Sequence, residues 1–171
     1  GSKLELKREP ASVPELIDRA VETVRPIIDE RKHELNIDIK GGERQAWLDP
    51  VRVTQVISNL LTNAAKYTPP RGKIDLSADI NDDRILIRVR DNGIGIPPDG
   101  LERIFAMFSQ LDRPETTVSG GLGIGLALSR TLVGLHGGRL QASSDGPGTG
   151  AVFEIELPYV PSIAARAPVP I

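Results

Sequence analysis

The chain has 171 residues, a formal net charge of −2 at pH 7, 39% hydrophobic residues and no cysteine. This is enough for one domain with a substantial core, without a basic field to attract nucleic acid and without disulfides or thiolate metal sites. Every apolar run falls short of the roughly 18 residues of a membrane span, and no signal-peptide pattern is present.

The first residues read as a connection that leads into a helix. Gly1-Ser2 is typical of a cloning scar, and residues 3–11 are polar and contain proline, which predicts a linker. Ser12 stands three residues before Glu15, the spacing of a capping box. Apolar residues then recur at helical spacing, which predicts an amphipathic helix over 13–32, with Pro26 as a potential kink.

Two short strands, over 35–39 and 45–48, are predicted before the next helix. Asp49-Pro50 is a helix start, because an N-cap acceptor precedes proline at the first helical position. This second helix runs to about Tyr67, and Thr68-Pro69-Pro70 ends it. Asn59 and Asn63 are four residues apart and therefore share one face of this helix.

The second half reads as two hairpins separated by helices. Alternating strands are predicted over 73–81 and 84–91, followed by a short helix over 101–108 and a mobile polar segment over 109–119. A glycine-rich stretch opens a helix over 123–136, and a second hairpin pairs 139–144 with 151–157. The order α-β-β-α-β-β-α-β-β favours an α+β two-layer sandwich over a doubly wound sheet.

The segment from Arg84 to Leu126 has the features of a nucleotide pocket. A carboxylate, Asp91, ends a strand and is followed by Gly93 and Gly95, and a second glycine cluster starts the later helix. Glycines allow a close approach of the backbone, and a helix start presents free N–H groups to an anion. Neither cluster has the context of a Rossmann fingerprint or a Walker A loop.

Several of these residues also have a purely structural interpretation. An isolated Asn-x-x-x-Asn is more often a pair of surface amides than a cation site, and a Gly-x-Gly is often only a tight turn. His33 is expected at a solvated helix end and His136 at a helix C-cap. Two separated histidines without cysteine argue against a zinc site. Trp47 and Phe153 are expected in the core.

Together, the motifs resemble those of the catalytic and ATP-binding domain of bacterial sensor histidine kinases, part of the ATPase superfamily that includes gyrase-type topoisomerases and MutL proteins. The match extends from about Val13 to Pro158, and four motifs occur in it in the family's order. They are an asparagine box at 59–68, a first glycine box at 91–96, a phenylalanine box at 104–108 and a second glycine box at 121–126. The resemblance implies a Bergerat ATP-binding fold, a mixed, mostly antiparallel sheet with three helices on one face.

The resemblance also implies roles for individual residues. Asn63 would hold Mg²⁺, while Asn59 and Lys66 would act on the phosphates as the catalytic pair. Asp91 would accept a hydrogen bond from the adenine amino group. The remaining implied ATP contacts are Tyr67, Gly93, Gly95, Ile96, Phe108, Gly121, Leu122, Gly123, Ile124, Gly125, Leu126 and Thr149. Residues 98–120 would form a lid.

The chain departs from the family pattern at two positions. Leu122 stands where the second glycine box often has Thr or Ser, and Gln110 replaces a lid arginine of many members. The glycine box and the preceding Ser-Gln-Leu-Asp-Arg are similar to those of hybrid kinases, which carry a receiver domain.

The resemblance implies three regions: residues 1–11 as a connection from a phosphoacceptor helix pair, 12–158 as the ATP-binding domain and 159–171 as a Pro/Ala-rich linker. The implied cofactors are ATP and Mg²⁺. The implied partners are a histidine phosphoacceptor domain of the same protein and a response regulator or receiver domain. A monomeric fragment of a homodimeric, cytoplasmic or membrane-anchored kinase is expected, with no direct membrane contact of its own. The alternatives are an anti-sigma-type serine kinase of the same fold and a degenerate nucleotide sensor.

Overall fold

The computed structural model describes residues 4–106 and 122–162, and within 122–125 it describes the backbone alone. The helices are α1 (Val13–Glu30), α2 (Pro50–Tyr67), α3 (Pro98–Arg103) and α4 (Leu122–Leu135). The strands are β1 (Glu9–Ser12), β2 (Glu34–Lys40), β3 (Gln45–Leu48), β4 (Lys73–Ile80), β5 (Arg84–Asp91), β6 (Arg139–Ser143) and β7 (Ala151–Pro158).

Five of the strands form a mixed sheet in the order β2-β4-β5-β7-β6. Only the β2–β4 pair of this sheet is parallel, so the sheet is mostly antiparallel, as predicted. Both predicted hairpins are present, because β4 pairs with β5 and β6 pairs with β7. In the described part of the chain, the remaining strands β1 and β3 pair antiparallel in a sheet of their own.

The core lies between one face of the five-stranded sheet and the helices. Alternate residues of the strands are buried, for instance Leu76 on β4 and Ile87 on β5, as expected for a sheet with one covered face. The longer helices α1 and α2 each bury a stripe at helical spacing, and α4 packs against α2. The α+β two-layer architecture is therefore confirmed.

The predicted helix starts are also confirmed. The Ser12 hydroxyl accepts a hydrogen bond from the Glu15 amide, and an Asp49 carboxylate oxygen accepts one from the Arg52 amide. Each side chain satisfies a donor that the first helical turn cannot pair internally. Pro26 lies inside α1, which continues to Glu30.

Some boundaries differ from those predicted. The end of the predicted linker 3–11 is not irregular, because residues 9–11 belong to strand β1, which pairs with β3 more than 30 residues away. The short helix α3 spans Pro98–Arg103, so it begins three residues earlier than predicted, with Pro98 at its first position, and the described residues 104–106 lie outside it. Residues 159–162, at the start of the predicted C-terminal linker, contact β3 through a Trp47 N–H bond to the Val160 carbonyl.

Two predicted environments are wrong. His33 is buried and not solvated, because its Nε2 lies 2.9 Å from the carbonyl oxygen of Thr68 and 3.1 Å from that of Pro69. Trp47 is only partly buried, whereas Phe153 lies in the core as predicted. Among the described residues, no helix has the length and apolar character needed to cross a membrane.

Candidate active site

The α2 helix presents two amide side chains on one face. Asn59 is partly buried and donates a hydrogen bond from Nδ2 to the Ser129 hydroxyl oxygen on α4, at 3.1 Å. Asn63, one turn later, is 5% exposed, and its Oδ1 has no hydrogen-bond partner among the described residues. A buried amide oxygen without a partner is costly, so this atom marks a place where a ligand would be stabilising.

Asp91 lies at the end of β5 and is 7% exposed. Its Oδ1 accepts a hydrogen bond from the Gly93 amide at 2.9 Å. Burial raises the pKa of the Asp91 carboxyl above its ordinary value, while hydrogen bonds from the backbone amides of Gly93 and Ala151 lower it. The carboxyl group is thus held in place by backbone donors in a poorly solvated position.

The first glycine motif packs directly on the end of α2. The Ile94 amide donates to the Tyr67 carbonyl oxygen at 3.0 Å. A Cβ on Gly93 would lie 2.1 Å from that same oxygen, so no larger residue fits without moving the backbone. This close approach brings the predicted residues Tyr67, Asp91 and Gly93 together.

The turn between β6 and β7 closes the other side of the motif. The Ser144 hydroxyl oxygen accepts a hydrogen bond from the Ile96 amide at 3.0 Å and donates to the Gly150 carbonyl oxygen at 2.6 Å. Gly95 has φ of +75°, and a Cβ there would lie 2.1 Å from the Gly146 carbonyl oxygen. Ser144 was not a predicted site residue. A single serine next to a turn carries no local signal of a contact 48 residues away.

Thr149 belongs to the same turn. Its hydroxyl donates to the Gly146 carbonyl oxygen at 2.6 Å, and the neighbouring Gly150 amide donates to the Gly93 carbonyl oxygen at 3.0 Å. Thr149 is therefore held beside the first glycine motif, next to the end of β5. That Thr149 lies near the adenine end of a bound nucleotide stays a prediction.

A cavity of about 390 Å³ borders these loops. Part of its wall is a row of four residues that lie side by side on neighbouring strands: Asp75 on β4, Arg90 on β5, Val152 on β7 and Ser143 on β6. Strand alternation places Arg90 on the face opposite its buried neighbours Val89 and Asp91, so the cavity lies largely on the sheet face away from the helices. Neither Asn59 nor Asn63 contributes to its wall.

The second glycine motif coincides with the start of α4. The backbone of Leu122, Gly123, Ile124 and Gly125 is helical, and Leu126 is buried in the core. Gly121, Phe108 and the predicted mobile segment 109–119 lie outside the described residues. The N-terminal turn of α4 is the helix end at which backbone N–H groups are unpaired.

These elements agree with one protein family. Residues 48–161 match the histidine kinase-, DNA gyrase B- and HSP90-like ATPases. The chain belongs to this family. Among solved structures, the mycobacterial sensor histidine kinase MprB is 30% identical, with a TM-score of 0.76, and the match covers 91% of this chain and 99% of that one. This ATPase domain is thus of the sensor histidine kinase type.

Two further relatives support this assignment. "Sensor histidine kinase RppB" from Synechocystis is 36% identical over 125 residues, covering 73% of this chain and 27% of RppB. Full-length ShkA, solved in complex with AMPPNP, is 29% identical with a TM-score of 0.80, over 94% of this chain and 33% of that one. The ATPase domain spans roughly a quarter or less of the first curated relatives it matches.

Proposed function

We propose that this ATPase domain binds Mg-ATP and donates the γ-phosphoryl group to a histidine on a phosphoacceptor domain of the same protein. The proposal rests on two buried groups of the domain: the Asn63 Oδ1, which has no hydrogen-bond partner among the described residues, and the Asp91 carboxyl at the end of β5. The first fits a hard cation, and the second fits a hydrogen-bond donor on a base. The full-length ShkA structure contains AMPPNP, which supports an ATP-like ligand.

The residues of α2 would handle the phosphate end of the nucleotide. Asn63 would hold Mg²⁺ through Oδ1, since an amide oxygen is a ligand that this cation accepts. Mg²⁺ would supply charge neutralisation on the phosphates. Lys66, in the last turn of α2, would add a further positive charge, and Asn59 would contact the phosphates or their water shell.

The remaining sequence-predicted residues would hold the rest of the nucleotide. Asp91 would accept a hydrogen bond from the adenine amino group, with Gly95 and Ile96 shaping the base pocket and Tyr67 near the sugar. Backbone amides at the start of α4 would face the phosphates, as helix N-termini commonly do. Catalysis would then consist mainly of positioning and electrostatic stabilisation.

The proposed partners follow from the resemblance to sensor histidine kinases. A histidine on a phosphoacceptor helix pair would receive the phosphoryl group, and a response regulator or receiver domain would take it from there. We propose that the domain works in the cytoplasm, where ATP is available, and that the whole kinase acts as a homodimer.

Calorimetry with Mg-ATP tests the binding step. We expect saturable binding that weakens when EDTA removes Mg²⁺. Asn63→Ala should reduce the affinity for Mg-ATP by about 10- to 100-fold, the worth of a contact to a charged group. The matched control is Asn36→Ala, an exposed asparagine on β2 that hydrogen bonds to Asp75, and it should bind like the parent. Equal affinity of Asn63→Ala with and without Mg²⁺, at the parent level, would contradict the cation assignment.

The transfer step is tested with the phosphoacceptor helix pair that we propose for the same protein. Mixed with it and labelled ATP, the domain should place an acid-labile, base-stable phosphoryl group on that partner. Binding of Mg-ATP without any transfer would instead favour a degenerate nucleotide sensor.

A further inference from the structure

The hydrogen bond between Asn59 and Ser129 joins the helix that carries the asparagine motif to the helix that begins at the second glycine motif. Asn59 lies on α2, one turn before Asn63, whereas Ser129 lies on α4, whose first turn includes the second glycine motif. The donor is Asn59 Nδ2 and the acceptor is Ser129 Oγ, 3.1 Å apart. The two residues are 70 positions apart in sequence, so no local pattern reveals the contact.

Ser129 is an unusual residue for its place in α4. It is fully buried, and its buried neighbours on the helix, Leu126, Leu132 and Val133, are all apolar. An apolar residue would pack at such a position without the cost of removing a hydroxyl from water. The hydroxyl oxygen accepts a hydrogen bond from the Asn59 amide, which offsets part of that cost and gives the serine a function that an apolar residue would lack.

The contact orients the Asn59 amide. The nitrogen and oxygen of an amide point away from its carbon in different directions, and the nitrogen here is directed at α4. The Oδ1 atom is therefore turned away from Ser129. Asn59 is only partly buried, and Asn63 follows on the same face of α2 with its own Oδ1 unpartnered among the described residues.

We infer that Ser129 is a positioning residue for the binding of Mg-ATP. It holds the Asn59 side chain so that the Asn59 amide oxygen is directed toward the bound phosphates and their cation. The inference rests on the proposed function. It adds that the asparagine motif is aligned correctly only when α4 is packed in place. Because α4 begins at the second glycine motif, the Ser129 hydroxyl couples the position of that motif to the position of the asparagines on α2.

A double-mutant cycle measured by calorimetry with Mg-ATP tests this inference. Ser129→Ala should weaken the affinity by about 2- to 10-fold, the effect of losing one neutral hydrogen bond. Asn59→Ala should weaken it at least as much. In the Asn59→Ala background, Ser129→Ala should have no further effect, because the side chain that it positions is absent.

The matched control is Thr131→Ala. The Thr131 hydroxyl is exposed on the same helix and donates to the Ala127 carbonyl oxygen, so its loss should leave the affinity unchanged. Melting temperatures are measured for every variant, since a purely structural serine would alter the melting temperature and leave the affinity as in the parent. If Ser129→Ala does not fold, Ser129→Cys, with a similar size and a weaker acceptor, takes its place in the cycle.

Each outcome has a defined consequence. A parent that binds Mg-ATP, with losses that do not add in the double variant, supports the inference. A parent that binds Mg-ATP, with Ser129→Ala equal to it or with losses that multiply independently, overturns the inference and leaves the proposed function intact. A parent that binds no Mg-ATP overturns the proposed function, and this inference with it.

Discussion

At the scale of single residues, the proposed contact between the Asp91 carboxyl and the base would have the strongest consequences for nucleotide specificity. An ionised carboxylate only accepts hydrogen bonds, and adenine offers an amino group where guanine offers a carbonyl oxygen. The Gly93 amide holds the carboxyl in place, so it cannot easily turn away from an unfavourable base. The domain should therefore prefer ATP to GTP.

Replacing this carboxyl should remove most of the preference. Asp91→Ala should lower ATP affinity by roughly one to two decades, since a hydrogen bond to a charged group contributes about 1.5–3 kcal/mol. Calorimetric titration of both nucleotides measures this effect. Asp79→Ala, an exposed aspartate on β4, serves as the control. Reduced stability together with an unchanged ATP/GTP ratio would mean that Asp91 only caps a turn.

His136 is a second single residue with a testable consequence, the dependence of the stability of the fold on pH. Its Nδ1 donates to the Leu132 carbonyl oxygen and its Nε2 accepts from the Asp49 amide, so the ring is held neutral. Burial, the largest cause, and the charge of Arg8 lower the pKa of His136, while the Leu132 hydrogen bond and the charge of Asp49 raise it less. The ring also borders a small cavity whose other lining residues, from α2, α4 and β7, are apolar.

Because the folded-state pKa lies below the unfolded one, protonation favours the unfolded chain. The stability that depends on neutral His136 should be fully present above a pH of about 6.5 and be lost as the pH falls toward the folded pKa. Urea unfolding between pH 8 and pH 5 measures this loss. His136→Gln, which retains an acceptor and cannot be protonated, should flatten the dependence. A dependence that persists unchanged in this variant would assign it to other groups.

At the scale of elements, the C-terminus of α4 shows how one helix end is specified. The Gly138 amide donates to the Val133 carbonyl oxygen and the Gly137 amide to that of Gly134, with Gly137 at φ of +78°. This pair of bonds is a Schellman motif, and it makes His136 the C-cap residue, as predicted. A Cβ on Gly137 would meet only an ordinary contact at 3.6 Å, so its requirement for glycine comes from the backbone angle.

Two glycines three residues apart should therefore respond oppositely to alanine. Gly137→Ala should destabilise the fold by about 1–2 kcal/mol, because L-residues resist the left-handed conformation. Gly134→Ala, at an exposed helical position with no atom within 4 Å of the added Cβ, should stabilise it by about 0.5–1 kcal/mol. Chemical denaturation of the two variants measures both. Equal changes of the same sign would contradict this explanation.

The elements that could be predicted are those with local signals. Caps at Ser12 and Asp49, helical stripes and the two hairpins all depend on residues close together in the sequence, and the structure confirms them. The parallel β2–β4 pairing and the strand β1 depend on partners more than 30 residues away, which alternation cannot identify. His33 was misplaced for the same reason, since charged neighbours suggested solvent while distant carbonyls bury it.

The candidate site divides in the same way. Asn59, Asn63 and Asp91 could be selected from the sequence, because they lie in short motifs that resemble the asparagine box and the first glycine box of the kinase family. Ser129 and Ser144 could not, because their contacts span 70 and 48 residues. Their importance comes from the tertiary packing of α4 on α2 and of a turn on the first glycine motif.

At the scale of the whole molecule, both histidines of the sequence belong to the framework. His33 and His136 are 9% and 4% exposed, and both engage backbone groups. We therefore expect no phosphohistidine when this chain alone is incubated with labelled Mg-ATP. Filter assays with acid and base treatment check this, with the phosphoacceptor helix pair added as the positive control. A base-stable label on either histidine would contradict the proposed division of labour.

The placement of β3 also has a mechanical consequence. The chain arriving through β1 and the chain departing at Val160 and Pro161 both bond to this one short strand. Tension applied between the two flanks would therefore load the bonds of β3 first, and β3 belongs to a different sheet from β5, the strand that ends at Asp91. A neighbouring domain that pulls on this one would thus separate β3 from its partners before it disturbs the residues proposed to bind the nucleotide.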